Sequence, residues 1–227
     1  MPFRFFADIF FPRACLACRA RASSFVIMHS DACCFSCFDA IPRCRMPPAL
    51  IPGGAPRFYA GGASRYESLI VQHMVHSLKF KGVRAAAEPL GDLLAEYVVQ
   101  APPASTVRSF VPGVPVIPIP LSKKRERERG FNQADLIAQR FARKFNLPVE
   151  NKILFRERHT KPQSETASAE ERRRNLTGCF ALRGAPPARV ILVDDVMTTG
   201  STFKEAAHLL FKNGTQEILA LAASAVV

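Results

Sequence analysis

The sequence predicts an α/β domain with a mostly parallel sheet flanked by helices, joined to a small cysteine-rich segment at its N-terminus. Short apolar runs typical of buried strands alternate with stretches of helical periodicity along most of the 227-residue chain. Six of the seven cysteines lie between Cys15 and Cys44. The proline- and glycine-rich stretch MPPALIPGGAP follows them and indicates a boundary. We therefore predict a cysteine-rich segment with its linker over residues 1–56 and the α/β domain over residues 57–227.

The first half of the main domain is predicted to contain two helices, a strand and a third helix. The first two helices are predicted over residues 66–78 and about 83–99, and the third helix over about 131–146. The first of them carries an apolar stripe that consists of Leu69, Ile70, Met74, Val75 and Leu78. The stretch GVPVIPIP is short and β-branched, which favours a buried strand, and a charged loop follows it.

The second half is predicted to supply a lid and the centre of the sheet. Residues 153–182 are polar and charged between short apolar ends, so we expect an extended hairpin or a flexible loop that acts as a lid. The run VILV is uniformly apolar, as in a central parallel strand, and FKEAAHLLFKN predicts a helix closed by Gly214. The final ILALAAS predicts another strand. Ligands of such sheets bind at the carboxyl ends of the strands.

Charge and hydropathy restrict the partners and the compartment. The net charge is +12, which favours phosphorylated metabolites or nucleic acid, although a basic surface without a dedicated partner remains an alternative. No apolar run reaches the roughly 18 residues that a membrane span needs. The apolar opening is interrupted by Asp8 and lacks a small-residue cleavage site. We therefore expect a cytoplasmic protein without a membrane span.

The segment VILVDDVMTTGST, residues 190–202, has the order of a phosphoribosyl-pyrophosphate (PRPP) binding loop. A strand ending at Val193 would place Asp194 and Asp195 just past its carboxyl end, where carboxylates can accept hydrogen bonds from the two ribose hydroxyls. The loop then turns into a helix, whose free N–H groups and positive dipole end suit a 5′-phosphate. Gly200 allows the close backbone approach that a phosphate cradle requires.

An ordinary strand-to-helix turn with a Ser or Thr cap would explain TTGST alone, but it would not explain the acid pair. The motif therefore predicts a phosphoribosyltransferase-type domain, in which Asp194 and Asp195 are also the first candidates for catalytic residues. The predicted PRPP-binding residues are Val193, Asp194, Asp195, Val196, Met197, Thr198, Thr199, Gly200, Ser201 and Thr202.

The cysteines near the N-terminus predict a structural zinc site. Cys15 and Cys18 form one CxxC pair and Cys34 and Cys37 form another, at a separation that suits a tetrahedral Cys₄ knuckle. Such a metal would stabilise a segment that is too short to have a core of its own. A redox dithiol or free thiols is the alternative. Cys33 and Cys44 have no place in this set.

Two basic segments are candidates for binding the pyrophosphate group. In LKFKG, an extended backbone would point Lys79 and Lys81 the same way, with Phe80 on the opposite side, and the alternative is an ordinary basic helix end. The charged loop after GVPVIPIP leaves the carboxyl end of a strand and carries six polar or cationic residues, for which a solvated charge run is the alternative. They are Ser122, Lys123, Lys124, Arg125, Arg127 and Arg129.

These motifs together resemble the ComF family of competence proteins, whose members are phosphoribosyltransferase-like and carry an N-terminal zinc ribbon or knuckle. The resemblance rests on FPRACLAC with its second CxxC, LKFKG, PIPLSKKRERERGFNQA at 118–134, Gln163 with Arg174 and Asn175, and VILVDDVMTTGST. It implies a type I phosphoribosyltransferase-like fold, with Mg²⁺ accompanying PRPP and structural Zn²⁺. It also implies a pyrophosphate site that includes Arg125, Arg129, Gly130, Asn132 and Gln133.

The resemblance further implies a role in DNA uptake or nucleotide metabolism, with single-stranded DNA and DNA-uptake proteins as partners. Arg174 and Asn175 are the candidates for the lid, and Arg174 is the third candidate for a catalytic residue. The alternative is a non-catalytic DNA-binding or regulatory protein in which the same site holds an effector or a DNA phosphate. In that case Phe80 and Phe131 are the candidates for stacking on bases.

Overall fold

The computed structural model describes residues 13–23, 26–51, 56–102, 106–157 and 178–226. The cysteine-rich segment forms a short antiparallel pair, β1 (Met28–Ser30) and β2 (Cys33–Cys34), followed by one short helix, α1 (Phe35–Asp39). A two-residue strand, β3 (Ala49–Leu50), leads out of this segment and pairs antiparallel with β4 (Arg57–Gly62).

The remaining elements include those that the sequence predicts, in the same order. After β4 come α2 (Leu69–Phe80), α3 (Ala87–Gln100), α4 (Thr106–Phe110), β5 (Val116–Pro118), α5 (Lys123–Arg129) and α6 (Gln133–Phe145). They are followed by β6 (Leu154–Arg156), β7 (Phe180–Leu182), β8 (Arg189–Met197), α7 (Ser201–Lys212) and β9 (Glu217–Ala225). Among the described residues, no helix combines the length and the apolar character that crossing a membrane requires.

The main sheet has the strand order β3-β4-β9-β8-β5, in which every pair except β3–β4 is parallel. Side chains along β8 alternate between two apolar clusters. Ile191 and Val193 face the cluster formed with α2, α3 and α6, whereas Val190 and Leu192 face the cluster formed with α7 and the β6–β7 hairpin. Burial on both faces explains why VILV is uniformly apolar. The predicted α/β class is confirmed.

Three local predictions were wrong. The charged loop after β5 is largely the helix α5, because Ser122 caps its N-terminus and Gly130, at φ 73°, ends it in the left-handed conformation. LKFKG is the end of α2 and not an extended segment. In the predicted apolar stripe of α2, Leu69 is exposed, and Val71 joins the buried residues instead.

The predicted lid has the form of a hairpin at its two ends. Strands β6 and β7 pair antiparallel, with Arg156 opposite Phe180. Residues 158–177 lie outside the described residues, and with them Gln163, Arg174 and Asn175. Their roles in a lid stay predictions.

The cysteine-rich segment packs against the main domain through a buried carboxylate on α3. Asp92 accepts hydrogen bonds from Arg140 Nε and Nη2 at 2.9 and 2.8 Å, and His29 Nε2 lies 3.0 Å from Asp92 Oδ2. Arg43 makes a second link, since its guanidinium contacts Glu96 and the carbonyl oxygens at the end of α1. Residues on both sides of position 56 share one apolar cluster. The domain boundary at that position stays a prediction.

Replacing Asp92 with asparagine is expected to destabilise the protein by about 3 kcal/mol at pH 7, because Arg140 and Lys144 would lose their buried anionic partner. Burial alone would raise the pKa of Asp92, but hydrogen bonds from Arg140 hold it below its usual value. This stabilisation is therefore present above the unfolded-state pKa of about 3.9 and is lost as pH falls through the lower folded-state pKa.

Chemical denaturation of the wild-type protein and Asp92→Asn at several pH values checks this prediction. Glu88→Gln, on the same helix, serves as the control and should change the unfolding free energy by less than about 0.5 kcal/mol. Equal stability of the wild type and Asp92→Asn at pH 7 would contradict the assigned role.

Candidate functional site

The acid pair lies on β8, within the strand and not beyond its end. Strand β8 continues to Met197 and stays paired with β9, where Asp194 is opposite Ala222. On its other side, β5 ends at Pro118, opposite Val193. The edge of β8 is therefore free of its β5 partner from Asp194 onward. The acids still lie at the carboxyl edge of the sheet, because β5 ends before it reaches them.

Asp195 is the buried member of the pair and is held by Lys79. Its side chain is 4% exposed, and its Oδ1 lies 2.9 Å from Nζ of Lys79 at the end of α2. Its Oδ2 is buried and has no hydrogen-bond partner within the part of the chain that the structure describes. Burial alone would lower the pKa of Lys79, but Asp195 and then Asp194 hold it above its usual value. Asp195 thus has one oxygen whose hydrogen-bonding capacity is not used.

Asp194 lies beside this ion pair and lines the cavity. Its Oδ1 accepts a hydrogen bond from the backbone N–H of Asp195 at 2.8 Å. Burial and the neighbouring negative charge of Asp195 raise the pKa of Asp194 to about 7, against the opposing effect of Lys79. The surroundings of the two acids therefore differ, since Lys79 forms an ion pair with Asp195 and acts on Asp194 only at longer range.

The loop after β8 forms the entry to α7. Gly200 precedes the helix in the left-handed conformation, at φ 68°, which an L side chain rarely adopts. The hydroxyls of Thr199 and Ser201 are hydrogen-bonded to each other. The first turn of α7 carries backbone N–H groups that a helix cannot satisfy internally, at the positive end of its dipole. Thr198 and Thr199 are exposed. The loop therefore has the form of an anion-binding helix start.

The acid pair and the basic residues meet in a cavity of about 620 Å³. Its charged residues come from α2, α5, β6 and β8, which are distant in sequence. Its lining residues are Lys79, Phe80, Ile119, Pro120, Leu121, Arg125, Glu128, Arg129, Gln133, Arg156, Asp194, Asp195, Val196 and Thr202.

Helix α5 explains which basic residues of the charged run reach this cavity. Arg125 and Arg129 are one helical turn apart and both line it, whereas Lys123, Lys124 and Arg127 are exposed elsewhere on the helix. Arg129 Nη1 donates to Oε1 of Gln133 at 2.8 Å. The sequence signal for this helix was present, since Ser122 stands at the N-cap and Gly130 follows the last turn.

Several predicted site residues lie outside the lining of this cavity. Val193 is fully buried in the apolar core, and Lys81 is exposed at the end of α2. Gly130 ends α5, and Asn132 caps α6 while its Nδ2 donates to the carbonyl of Ile119 at 3.0 Å. In this structure Gly130 and Asn132 determine the course of the backbone around the cavity.

Arg156 is a cavity residue within the predicted lid, where the sequence did not distinguish it from the other charged residues. Strand alternation places it on the same face of β6 as the buried Leu154. Its guanidinium lies over the ring of Phe180, 5.6 Å from the centroid. The available signal was the alternation expected of a strand at ILFR, which places Arg156 on the same face as the apolar Leu154.

The four predicted zinc ligands come together in a second site. The sulfur atoms of Cys15, Cys18, Cys34 and Cys37 all lie within 4.8 Å of one another. Those of Cys18 and Cys34 are 3.8 Å apart, close to the edge of about 3.8 Å in a tetrahedron with Zn–S bonds of about 2.3 Å. Cys33 is fully buried outside the group, and its thiol donates to the carbonyl of Cys34.

The environment of this cluster favours the thiolate form of Cys15 but not that of Cys37. Burial alone would raise the pKa of Cys15, but backbone hydrogen bonds from Cys18 and Cys34 lower it to about 6. Burial raises the pKa of Cys37 well above its usual value. A bound cation would offset that penalty, since metal ligation requires deprotonated sulfur. The residues present therefore fit a Cys₄ zinc site.

Comparison with curated proteins finds relatives named for competence and DNA utilisation. Competence protein F of Haemophilus influenzae is 46% identical over 107 residues, which are 45% of this chain and 46% of that protein. DNA utilization protein YhgH of Escherichia coli O157:H7 is 37% identical over 146 residues, 64% of this chain and 63% of that protein. Competence protein ComFC of Bacillus subtilis is 40% identical over 102 residues, 44% and 39% of the two chains.

Solved structures align with the chain only distantly. Adenine phosphoribosyltransferase from Trypanosoma brucei aligns over 82% of this chain and 65% of its own, with a TM-score of 0.37 and 16% identity. Phosphoribosylpyrophosphate synthetase from Mycobacterium smegmatis aligns over 60% and 33%, with a TM-score of 0.36 and 15% identity. At these scores, the description of the fold rests on its own strand order.

The relationship of this chain to known proteins therefore rests on the relatives found by sequence. No protein-family model matches the chain. The chain matches less than two thirds of the length of the curated relatives described above. Within the matched regions, the relatives named Competence protein F and ComFC confirm that this chain resembles the ComF family of competence proteins.

Proposed function

We propose that the chain binds PRPP together with Mg²⁺ at the carboxyl edge of the sheet, as a ComF-type phosphoribosyltransferase-like protein that acts in DNA uptake or utilisation. The observation that carries the proposal is the combination of an acid pair on β8 with the helix start of α7 that follows it, facing basic residues from α5 and β6 across the cavity. Each component matches one chemical part of the ligand.

The ribose and its 5′-phosphate match the loop 193–202. Carboxylate oxygens accept hydrogen bonds from a diol, and Asp195 Oδ2 is a buried acceptor that has no donor among the described residues. The N–H groups at the start of α7, with the hydroxyls of Ser201 and Thr202, suit the three oxygens of a terminal phosphate. A plain turn would not place an unsatisfied buried carboxylate oxygen beside such a helix start.

The pyrophosphate matches the opposite wall. Arg125 and Arg129 line the cavity one turn apart, and Arg156 lines it from the hairpin. Burial lowers the pKa of Arg129, but an arginine remains charged at neutral pH. In a phosphoribosyl transfer, the bond from C1 to the pyrophosphate oxygen breaks, the bond from C1 to the acceptor forms, and the electron pair leaves with pyrophosphate. These arginines would stabilise that developing charge.

The residues present also fit Mg²⁺. A hard cation prefers carboxylate and phosphate oxygens, and Asp194 and Asp195 supply carboxylate oxygens beside the proposed phosphates. Lys79 already compensates one negative charge, so the site does not depend on the metal for its charge balance in the free protein. When bound, Mg²⁺ would supply charge neutralisation on the pyrophosphate.

Isothermal titration of the full chain with PRPP, in the presence and absence of Mg²⁺, tests the proposal. Saturable binding with a 1:1 ratio that weakens without Mg²⁺ is expected. Absence of binding at millimolar PRPP would overturn it. Zinc-loaded protein should be used throughout, because the cysteine-rich segment shares its core with α2 and α3.

DNA binding is a second candidate function, favoured by the relatives named for DNA utilisation and by the net charge of +12. In that case the site would hold an effector or a DNA phosphate without catalysis. Single-stranded DNA binding measured at several salt concentrations tests it, since contacts to phosphates must weaken as salt rises.

A further inference from the structure

Phe80 is an exposed aromatic residue inside the proposed site. It ends α2, and the residue is 68% exposed although it lines the cavity that contains the acid pair. The buried stripe of the same helix ends two residues earlier, where Leu78 is fully buried. The ring therefore does not contribute to the core, and its place on the cavity wall sets it apart from singly exposed apolar residues elsewhere on the surface.

The position of the ring is fixed from two sides. Lys79, the preceding residue, is anchored to Asp195 by the 2.9 Å ion pair, so the backbone at the end of α2 is tied to β8. The guanidinium of Arg129 lies over the ring, 5.6 Å from its centroid, and the ring of His76 packs at 5.0 Å. A cation on part of an aromatic ring, with the rest open to the cavity, is an arrangement that favours a further flat group.

Phe131, the other aromatic candidate, is in a different situation. It is 9% exposed, belongs to the apolar core and is covered by Arg84, whose guanidinium lies 5.0 Å from the ring centroid. It lines a different cavity, which does not include the acid pair. Phe80 is thus the exposed aromatic residue of the described cavity wall.

We propose that Phe80 forms a stacking subsite for a planar heteroaromatic ring, such as a nucleobase, carried on or transferred to C1 of the ribose phosphate held by the acid pair. The inference rests on the proposed function and names the chemical class of group that the remainder of the cavity takes. Arg129 orients the subsite, since it contacts the ring of Phe80 and also Gln133.

The test compares two probes that differ only by the ring. Adenosine 5′-monophosphate and ribose 5-phosphate are titrated into the wild-type protein and into Phe80→Leu and Phe80→Tyr. In the wild type, the monophosphate should bind about 5- to 150-fold more tightly than ribose 5-phosphate, the range that base–aromatic stacking supplies. Phe80→Leu should reduce that ratio to within about twofold of unity, and Phe80→Tyr should preserve it.

Leu69→Ala is the matched control, because Leu69 is an equally exposed apolar residue of the same helix at its other end. It should leave the ratio as in the wild type. Thermal melting of each variant confirms that the fold is intact. If ribose 5-phosphate binds and the wild-type ratio is near unity, the stacking subsite alone is wrong. If neither probe nor PRPP binds, the proposed function is itself wrong.

A third probe identifies the source of the ring. The same variants are titrated with a ten-residue oligothymidylate. If Phe80→Leu weakens the oligonucleotide but leaves the ratio between the two small probes unchanged, Phe80 stacks on a nucleic-acid strand and the subsite for a ring on the bound ribose is overturned.

Discussion

Replacing both Asp194 and Asp195 with asparagine is expected to lower the affinity for PRPP by about 100-fold or more, because two hydrogen-bonded charged acceptors would be lost. The buried oxygen of Asp195 that has no partner in the structure is the most direct reason, since an asparagine cannot present two acceptor oxygens. Calorimetric titration with PRPP and Mg²⁺ measures the effect. Asp39→Asn, an exposed aspartate of the cysteine-rich segment, is the matched control and should bind as the wild type does.

The same double variant separates the two candidate functions. Removing two negative charges makes the surface more basic, so a purely electrostatic DNA surface should bind single-stranded DNA as well as before or better. Retained PRPP affinity in the double variant would contradict the ligand site that we propose. A parallel loss of affinity for DNA and PRPP would indicate that both ligands use the acid pair.

A change in stability should accompany the loss of binding in Asp194→Asn. The folded-state pKa of Asp194 is raised to about 7, so the folded protein holds this proton more tightly than the unfolded chain does. Its contribution to stability is present below the unfolded-state pKa and is lost as pH rises through about 7. Asp194→Asn should therefore melt a few degrees above the wild type at pH 8, with a smaller difference at pH 5. Differential scanning calorimetry at both values checks the sign.

Loss of zinc is expected to have the second large effect. Elemental analysis of freshly purified protein should give about one zinc per chain, and less than about half a mole, with free thiols, would count against the site. Cys34→Ser should lose the metal and melt lower, by about 6–12 °C for each 3 kcal/mol of stability lost. The effect should extend to the main domain, because Cys15, Cys33 and Cys34 share one apolar cluster with α2 and α3.

Cys44→Ala is the matched control for the zinc site. Cys44 belongs to the same segment and is partly buried, but it lies outside the four-sulfur group. The variant should retain the full zinc content and melt close to the wild type. If it loses zinc as readily as Cys34→Ser does, the ligand set is different from the one assigned.

The sequence was most informative about features that are formed by residues close together in the chain. The loop at 190–202 is continuous in the chain, so its order of strand, acids, glycine and helix could be read directly, apart from the strand's extra length. The four cysteines form two local pairs whose spacing restricted them to one cluster, and the structure brings their sulfurs within 4.8 Å. The alternation of apolar runs and helical periodicity predicted the α/β class for the same reason.

Residues that act across the fold could not be placed in this way. Lys79 is a predicted pyrophosphate-binding residue, but only the packing of α2 against the sheet brings its Nζ to Asp195. Arg156 is one of many charged residues in the predicted lid, and only the pairing of β6 with β7 turns it into the cavity. The charged run at 122–129 is a predicted loop that forms a helix, because Ser122 caps its start and Gly130 ends it in the left-handed conformation.

The sequence by itself therefore determined the class of fold, the order of strand, acid pair and helix start at 190–202, the grouping of four cysteines and the resemblance to the ComF family. Only the tertiary structure decided which cations face the acid pair, which oxygen of Asp195 has no hydrogen-bond partner among the described residues and which phenylalanine is exposed to the cavity. The physical reason is that periodicity and motif spacing record local geometry. Contacts between α2, α5, β6 and β8 depend instead on how distant segments pack around the shared sheet, which no short stretch of sequence encodes.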